Sequence, residues 1–377
     1  MRIGLDAKRA FFNSTGLGNY GRTLIAGLLQ YHPEADYLLY SPKAPQNRFP
    51  DFEQKTAPHT TVHYPEKGLG SFFPSLWRSF GLSKTLKKDK IDLYHGLSME
   101  IPTSLRTAGI RSAVCIHDLI FIKHPEFYPI IDRAIYRKKY LHACHNADMI
   151  VALSEQTRAD ILNDFHLSED RVRVIHMSSD PLFSQRVGEE TKATVKQRYG
   201  LPDRFILSVG TINTRKNLLG LVKAFEKLPA SLGVSLVAIG KGGAYKKEVE
   251  QFIHAHDLSD RVHFPKNVAN SDLPAIYQQA ALFAYPSFYE GFGLPILEAL
   301  QSRVPVVTTK GGCFPEAGGP NSLYIDPANI DELTDALQTG LTNSELRNRM
   351  IEAGLTHAAK FTPHAFADKT WALYQDL

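Results

Sequence analysis

"FILSVGTINTRKNLLGLVKAF" (residues 205–225) runs from a short apolar stretch through a turn of small and basic residues. Leu218, Leu221, Val222 and Phe225 then recur at i, i+3, i+4 and i+7. An apolar run that switches to a 3.6-residue period is a buried strand leading into a helix with one buried face. The opening of the chain, "MRIGLDAKRAFFNSTGLGNYGRTLIAGLL" (1–29), repeats the plan of strand, loop and long amphipathic helix. Further strand-like runs follow the first opening: "YLLY" (37–40), "IDLYH" (91–95), "SAVCIHD" (112–118), "MIVAL" (149–153) and "RVRVI" (171–175). Others follow the second: "VSLVAIG" (234–240), "RVHF" (261–264), "ALFAY" (281–285) and "VPVVTT" (304–309). Strands that alternate with amphipathic helices build parallel α/β sheets, so two doubly wound, Rossmann-like domains are expected.

The 377 residues suffice for two such cores. Between the two series "HMSSDPLFSQRVGEE" (176–190) loses hydrophobic periodicity and reads as a linker. The boundary is therefore placed near residue 184, with an N-terminal domain over 1–184 and a C-terminal domain over 185–361. The last stretch, "FTPHAFADKTWALYQDL" (361–377), has its own helical pattern after a Thr-Pro start and could pack on either domain.

Composition narrows the function classes. With 43% hydrophobic and 22% charged residues the chain is an ordinary globular one. Asp6 stops the first apolar run, and nowhere do eighteen apolar residues run together, so neither a cleavable signal nor a membrane span is expected. Cys115, Cys144 and Cys313 are scattered and odd in number, which suits a reducing compartment; the expected location is cytoplasmic. Residues 1–184 hold 23 Lys+Arg against 19 Asp+Glu, which accounts for the whole net charge of +4. That excess is too small for a nucleic-acid groove, and no nucleic-acid-binding motif accompanies it. It leaves room for a weak peripheral attraction of the first half to the inner face of an anionic membrane.

A second stretch raises the question of chemistry. "FYEGFGLPILEAL" (288–300) places Glu290 and Glu298 around a corner of glycines and Pro295. Proline fits the first turn of a helix, so Glu298 falls early in that helix and Glu290 ends the loop after the strand "ALFAY". This is the carboxyl end of a parallel strand, where open α/β sheets bind ligands. The competing reading is a helix start whose acidic residue answers the helix dipole. The loop "SVGTINTRKN" (208–217) brings Arg215 and Lys216 to the turn after another strand, where cations and free backbone amides together suit a phosphate. A diphosphate there would repel both glutamates, so at least one carboxylate should face an uncharged part of the ligand, as an acidic residue faces ribose hydroxyls in dinucleotide sites. The parts describe a nucleoside diphosphate with something attached.

These residues carry a resemblance. "EGFGLPILE" (290–298) resembles the E-x7-E motif of the retaining family 4 glycosyltransferases, and "GTINTRKN" (210–217) resembles that family's diphosphate-binding loop. "RIGLDAKRAFFNSTGLGNYGR" (2–22), "CIHDL" (115–119), "ADMIVALSEQTRADI" (147–161) and "VPVVTTKGGCFPEAGG" (304–319) are similar to further family segments in the right order. The resemblance implies the GT-B fold: two Rossmann-like domains facing a cleft, with the C-terminal helix (362–377) crossing back to the first. It implies that the second domain binds the sugar nucleotide and the first receives a glycan or lipid-linked acceptor. Arg215 and Lys216 then match the residues that hold the diphosphate, Glu298 the ribose-binding carboxylate, Glu290 the glutamate next to the donor sugar, and His117 the histidine near that sugar. Gly16 and Gly18 match the glycine loop by which the first domain's backbone approaches the diphosphate, and Gly291, Phe292, Gly293 and Leu294 complete the donor corner. The implied reaction is transfer of a hexosyl group with retention, by front-face attack rather than through a covalent intermediate on Glu290. It serves surface polysaccharide or glycolipid synthesis, with GDP-mannose the first donor and UDP-sugars the alternative. No metal or other cofactor is expected, since the chain has no Asp-x-Asp motif to hold one. Two segments depart from the family pattern: "HMSSD" (176–180) stands where a Pro-Asn-Gly turn is common, and "FPKNVANSDL" (264–273) replaces a glycine-containing turn, which leaves the base open.

Other signals weigh less. "HACH" (142–145) and "HAHD" (254–257) lack the partner pair of a zinc site and read as helix surface. "FFPSLWRSFGLSKTLKKDK" (72–90) mixes aromatic and basic residues as membrane-surface helices do, but its periodicity favours a domain helix with one buried stripe. His95 and Ser98 follow a strand and are candidates for acceptor contact. The competing functions are a sugar-nucleotide epimerase on the same architecture, a non-catalytic sugar-nucleotide-binding subunit, and an NAD enzyme. The last is disfavoured because no G-x-G-x-x-G directly follows a strand.

Overall fold

Strand pairing is parallel throughout the described residues, as expected when each strand returns through a helix. The computed structural model describes residues 1–65 and 77–377, and divides them into two units, Met1–Ser178 with Phe361–Leu377, and Ser179–Lys360.

In the first unit β1 (Arg2–Asp6), β2 (Asp36–Tyr40), β3 (Thr60–His63), β4 (Leu93–Gly96), β5 (Arg111–Ile116), β6 (Met149–Ala152) and β7 (Val172–Val174) form a seven-stranded sheet in the order β3-β2-β1-β4-β5-β6-β7. In the second, β8 (Phe205–Val209), β9 (Ser235–Ile239), β10 (Val262–His263), β11 (Leu282–Tyr285), β12 (Val306–Thr309) and β13 (Leu323–Ile325) form a six-stranded sheet in the order β10-β9-β8-β11-β12-β13. Strand order therefore reverses between β1 and β4 in one sheet and between β8 and β11 in the other. Such a switch point opens a crevice at the strands' carboxyl ends, because the helices that follow the two strands go to opposite faces. The strands absent from the sequence reading, β3 and β13, are short edge strands with half-buried residues and no sustained apolar run.

The helix Leu218–Glu226 buries Leu218, Leu221, Val222 and Phe225, the stripe its periodicity specifies. The terminal helix spans Pro363–Gln375, with Thr362 accepting from the Ala365 amide at 3.1 Å. It belongs to the first unit and buries Phe366, Leu373 and Tyr374 there; each such side chain contributes about 1.5–3 kcal/mol. A Cβ on Gly27 would sit 3.2 Å from the Pro363 carbonyl oxygen, so this glycine lets the terminal helix approach.

The unit boundary falls at Ser178, earlier than residue 184. Phe183 explains the difference: it is buried, meets Tyr277 edge-on at 5.3 Å, and its carbonyl accepts from Ser302 Oγ at 3.3 Å. One anchoring aromatic in a polar stretch leaves no periodicity to read. Of the stretch 72–90, residues 72–76 lie outside the described residues; the helix Leu82–Lys88 buries Leu82 and Leu86.

Candidate functional site

The second unit's switch point gathers the charged residues. After β8 the chain enters a single turn, Thr214–Lys216, whose start is capped by the Asn213 side chain accepting from the Lys216 amide at 3.1 Å. The loop before it is drawn against β9: Gly210 N donates to Ile239 O at 2.9 Å and Ile212 N to Lys241 O at 2.8 Å. A Cβ on Gly240 would lie 1.8 Å from the Gly210 carbonyl oxygen, so only glycine permits this approach. Arg215 and Lys216 then project toward the loop that follows β11.

Four donors converge on one oxygen there. Glu290 Oε1 lies 2.6 Å from Arg215 Nη1 and 2.6 Å from Lys216 Nζ. It also accepts from Ser287 Oγ at 2.7 Å and Tyr285 OH at 3.1 Å. Tyr285 in turn accepts from Lys216 Nζ, so its hydroxyl sits between cation and carboxylate. The supporting loop is fixed from both sides: Phe288 N donates to Arg215 O at 2.9 Å, Thr309 Oγ1 to Ser287 O at 2.6 Å, and Cys313 Sγ to Glu290 O at 3.2 Å. Burial alone would raise the Glu290 carboxyl, but Lys216 and Arg215 outweigh it and hold it at about 2. Burial pushes Lys216 below the usual lysine range, with Glu290 opposing the shift. Two cations against one anion leave one positive charge in a pocket whose side chains are only 11–16% exposed.

Glu298 is placed differently. It lies on the helix Leu294–Gln301, is 8% exposed, and accepts from Tyr277 OH at 3.0 Å. Burial raises its carboxyl to about 8, with the Tyr277 bond working against the shift, so at neutral pH it is mainly a neutral acid. The two glutamates are thus an ion held by cations and a buried carboxylic acid. Between them, Gly293 takes φ +108°, a left-handed backbone that starts the helix, Phe292 is buried, and Gly291 and Leu294 complete the corner. Pro295 occupies the helix's first turn.

In the first unit His117, which follows β5, is 6% exposed, and its Nε2 donates to Leu97 O at 2.8 Å. Burial lowers it to about 4, so the ring is neutral and Nδ1 carries no proton. Tyr20 meets it edge-on at 4.7 Å. Gly18 has an internal reason to be glycine: a Cβ would lie 1.8 Å from Asn13 O, and its amide donates to Thr15 O at 2.9 Å. Gly16, by contrast, faces open space.

His95 and Ser98 do not fit the acceptor contact expected of them. His95 is fully buried, bonded through Nδ1 to Tyr374 OH at 2.7 Å. Ser98 is 5% exposed, donates to Asp6 Oδ2 at 3.1 Å, and accepts from Arg78 Nη2 at 3.1 Å. His95 lies in β4 and Ser98 just after it, at the switch point, but their side chains are turned into the unit's interior. Arg78 ties Asp6 to Glu100 in the same buried cluster, a partnership across distant segments that no sequence spacing reveals. Tyr285, Ser287 and Tyr277 were also missed, since polar residues at a strand's end look alike until their partners are known. Asn213 left a signal, an N-cap residue three positions before Lys216. Cys144, in the "HACH" segment, is buried rather than on the helix surface. Among the described residues no three His, Cys, Asp or Glu side chains cluster as metal ligands, and no helix is long and apolar enough to cross a membrane.

Two families divide the chain between them: the one described as Glycosyltransferase Family 4 matches residues 15–181, and Glycosyl transferases group 1 matches residues 191–357. With two parallel sheets and a charged switch point in the second, the chain belongs to the glycosyltransferases of the GT-B fold. The O-antigen chain mannosyltransferase B of Escherichia coli is 28% identical over 358 residues, covering 92% of each chain. The serotype-specific mannosyltransferase WbdA of Escherichia coli is 29% identical over 293 residues, which cover 72% of this chain but 34% of that larger protein. Among solved structures, Anabaena HepE in complex with UDP and glucose superposes over 100% of both chains with a TM-score of 0.77 at 19% identity, a likeness of fold.

Proposed function

We propose that the chain is a retaining hexosyltransferase that moves a sugar, mannose from GDP-mannose first and a sugar from a UDP donor second, to a hydroxyl of a glycan or lipid-linked acceptor. The observation that carries the reading is the convergence of Arg215 and Lys216 on Glu290 at the carboxyl ends of β8 and β11. The mannosyltransferase names of the relatives favour GDP-mannose.

The chemistry is displacement of a nucleoside diphosphate from the anomeric carbon, and the charge that must be stabilised develops on the leaving phosphate. Arg215 and Lys216 supply two preorganised donors for it; losing one such donor costs about 3 kcal/mol of transition-state stabilisation. In this role they need no metal or other cofactor. An incoming diphosphate takes the two cations from Glu290, and the released carboxylate turns to the hydroxyls of the donor sugar. Front-face attack rather than a covalent intermediate on Glu290 is the course that the resemblance to the retaining family 4 enzymes implies. Glu298 is assigned to the ribose and the corner 291–294 to the donor. Acceptor recognition is assigned to the first unit, and His117, whose Nδ1 carries no proton, is assigned to a hydroxyl of the donor sugar.

A thermal-shift panel of UDP, GDP and ADP with their sugars tests the donor. A ligand bound at about a hundred times its Kd adds about 2.7 kcal/mol to the folded state. GDP and GDP-mannose should give the largest shifts, and no shift with any nucleotide would overturn the reading. Incubation with the donor alone separates transfer from epimerisation: an epimerase converts the sugar nucleotide without an acceptor, a transferase does not.

A further inference from the structure

The helix Ile130–Asn146 is anchored on its inner side by Tyr140, Ala143 and Cys144, all buried, and Tyr140 meets Phe121 edge-on at 4.8 Å. The outward side of its first two turns is aliphatic. Among the described residues exposed Tyr136 adjoins them and the remaining exposed large apolar side chains are scattered along the chain, but the isoleucines stand out: Ile130 is 79% exposed, Ile131 73% and Ile135 48%. At 100° per residue these three fall on one face with Lys138, and exposed Arg137 borders them one turn further on. Asp132 is the one acid in the helix. Folding does not account for the isoleucines, because they leave water for nothing in their own unit.

We propose that these turns are a docking element for an anionic lipid bilayer, with Ile130, Ile131 and Ile135 entering the interface and Arg137 and Lys138 meeting lipid phosphates. A step from aliphatic to basic residues within about 10 Å of helix axis matches the shallow burial, about 5–10 Å, of interfacial helices. The charge also fits, since the whole cationic excess of the chain lies in residues 1–184. The helix belongs to the first unit and the donor-site residues to the second, and the proposal does not depend on which nucleotide is bound.

The test is sedimentation of the full chain with vesicles of phosphatidylglycerol mixed with phosphatidylcholine, and with phosphatidylcholine alone. The wild type should pellet with the mixed vesicles, and raising the salt should bring that binding down to the level seen on neutral ones. Ile130→Asp combined with Ile131→Asp should cut partitioning at least about tenfold, with the thermal unfolding midpoint unchanged. Arg137→Glu combined with Lys138→Glu should remove the preference for the anionic lipid while keeping any weak neutral binding. The proposal is overturned if the wild type stays in the supernatant with both vesicles, or if the isoleucine variant pellets like wild type. It is equally overturned if the isoleucines instead hold a dimer: a wild-type dimer in analytical ultracentrifugation, monomeric in the isoleucine variant, without vesicle binding.

Discussion

Replacing Glu290 with glutamine should tighten the binding of a nucleoside diphosphate while lowering turnover. In the wild type Glu290 Oε1 lies 2.6 Å from Arg215 Nη1 and 2.6 Å from Lys216 Nζ, so an incoming diphosphate competes with the carboxylate for both cations. Phosphate oxygens at hydrogen-bond distance from those nitrogens would stand about 5 Å from Oε1. One pair of unit charges at that distance repels by about 1 kcal/mol in water and about 3 kcal/mol at an effective dielectric constant of about 20. Removing the carboxylate should therefore strengthen binding of GDP or UDP roughly five- to a hundredfold. The same change leaves two buried cations unpaired, which should cost about 3 kcal/mol of stability, the low end for a broken buried pair because some exposure remains. The sign of the pH dependence follows from the lowered carboxyl. Its contribution is complete above the ordinary glutamate value of 4.5 and is lost as pH falls toward about 2, so the stability gap between wild type and variant should close over that window. Calorimetric titration with the nucleotide diphosphate, paired with initial rates and thermal unfolding, reads all three effects. A folded Glu290→Gln protein that binds nucleotide no better than wild type would refute the competition.

Glu298 leads to a prediction about protons. A carboxyl at about 8 is mainly protonated at pH 7, and accepting bonds from ribose hydroxyls as an anion requires that proton to leave. Binding of a nucleotide sugar at pH 7 should then release close to one proton, seen as a dependence of calorimetric heat on the buffer's ionisation enthalpy; Glu298→Gln should abolish it, and a wild type with no such dependence would disprove the assignment. Tyr285→Phe removes the hydroxyl between Lys216 and Glu290. It should cost about 1–2 kcal/mol of stability and lower kcat more than it changes KM, and an unchanged kcat would show the hydroxyl to be structural alone. Activity should survive exhaustive chelation, since Arg215 and Lys216 carry the charge a divalent ion carries elsewhere. Turnover lost in EDTA and restored by magnesium or manganese would count against that.

Sequence periodicity reached far into this fold because parallel strands buried on both faces leave continuous apolar runs, and their crossover helices keep one stripe. It missed β3 and β13, which lie at sheet edges, and it set the unit boundary late because Phe183 is a single anchor in a polar stretch. At the site, glycines and Pro295 showed where the corner turns, and Arg215 and Lys216 marked the turn after β8 that the fold brings against Glu290. The sequence could not show that Glu290 is bound to those cations while Glu298 is buried against Tyr277. Spacing along the chain does not carry the partner of a charge. The same limit applied to His95 and Ser98, which the sequence placed at a strand's end and the fold turned inward.

In the proposed function the β8 and β11 loops of the second unit hold the diphosphate of a sugar nucleotide. A crystal structure of the protein with GDP-mannose tests it most directly. The diphosphate oxygens should lie within about 2.7–3.2 Å of Arg215 and Lys216, with Glu290 turned from the cations toward the sugar and Glu298 on the ribose hydroxyls. A bound diphosphate elsewhere, with both cations still paired to Glu290, would contradict the account.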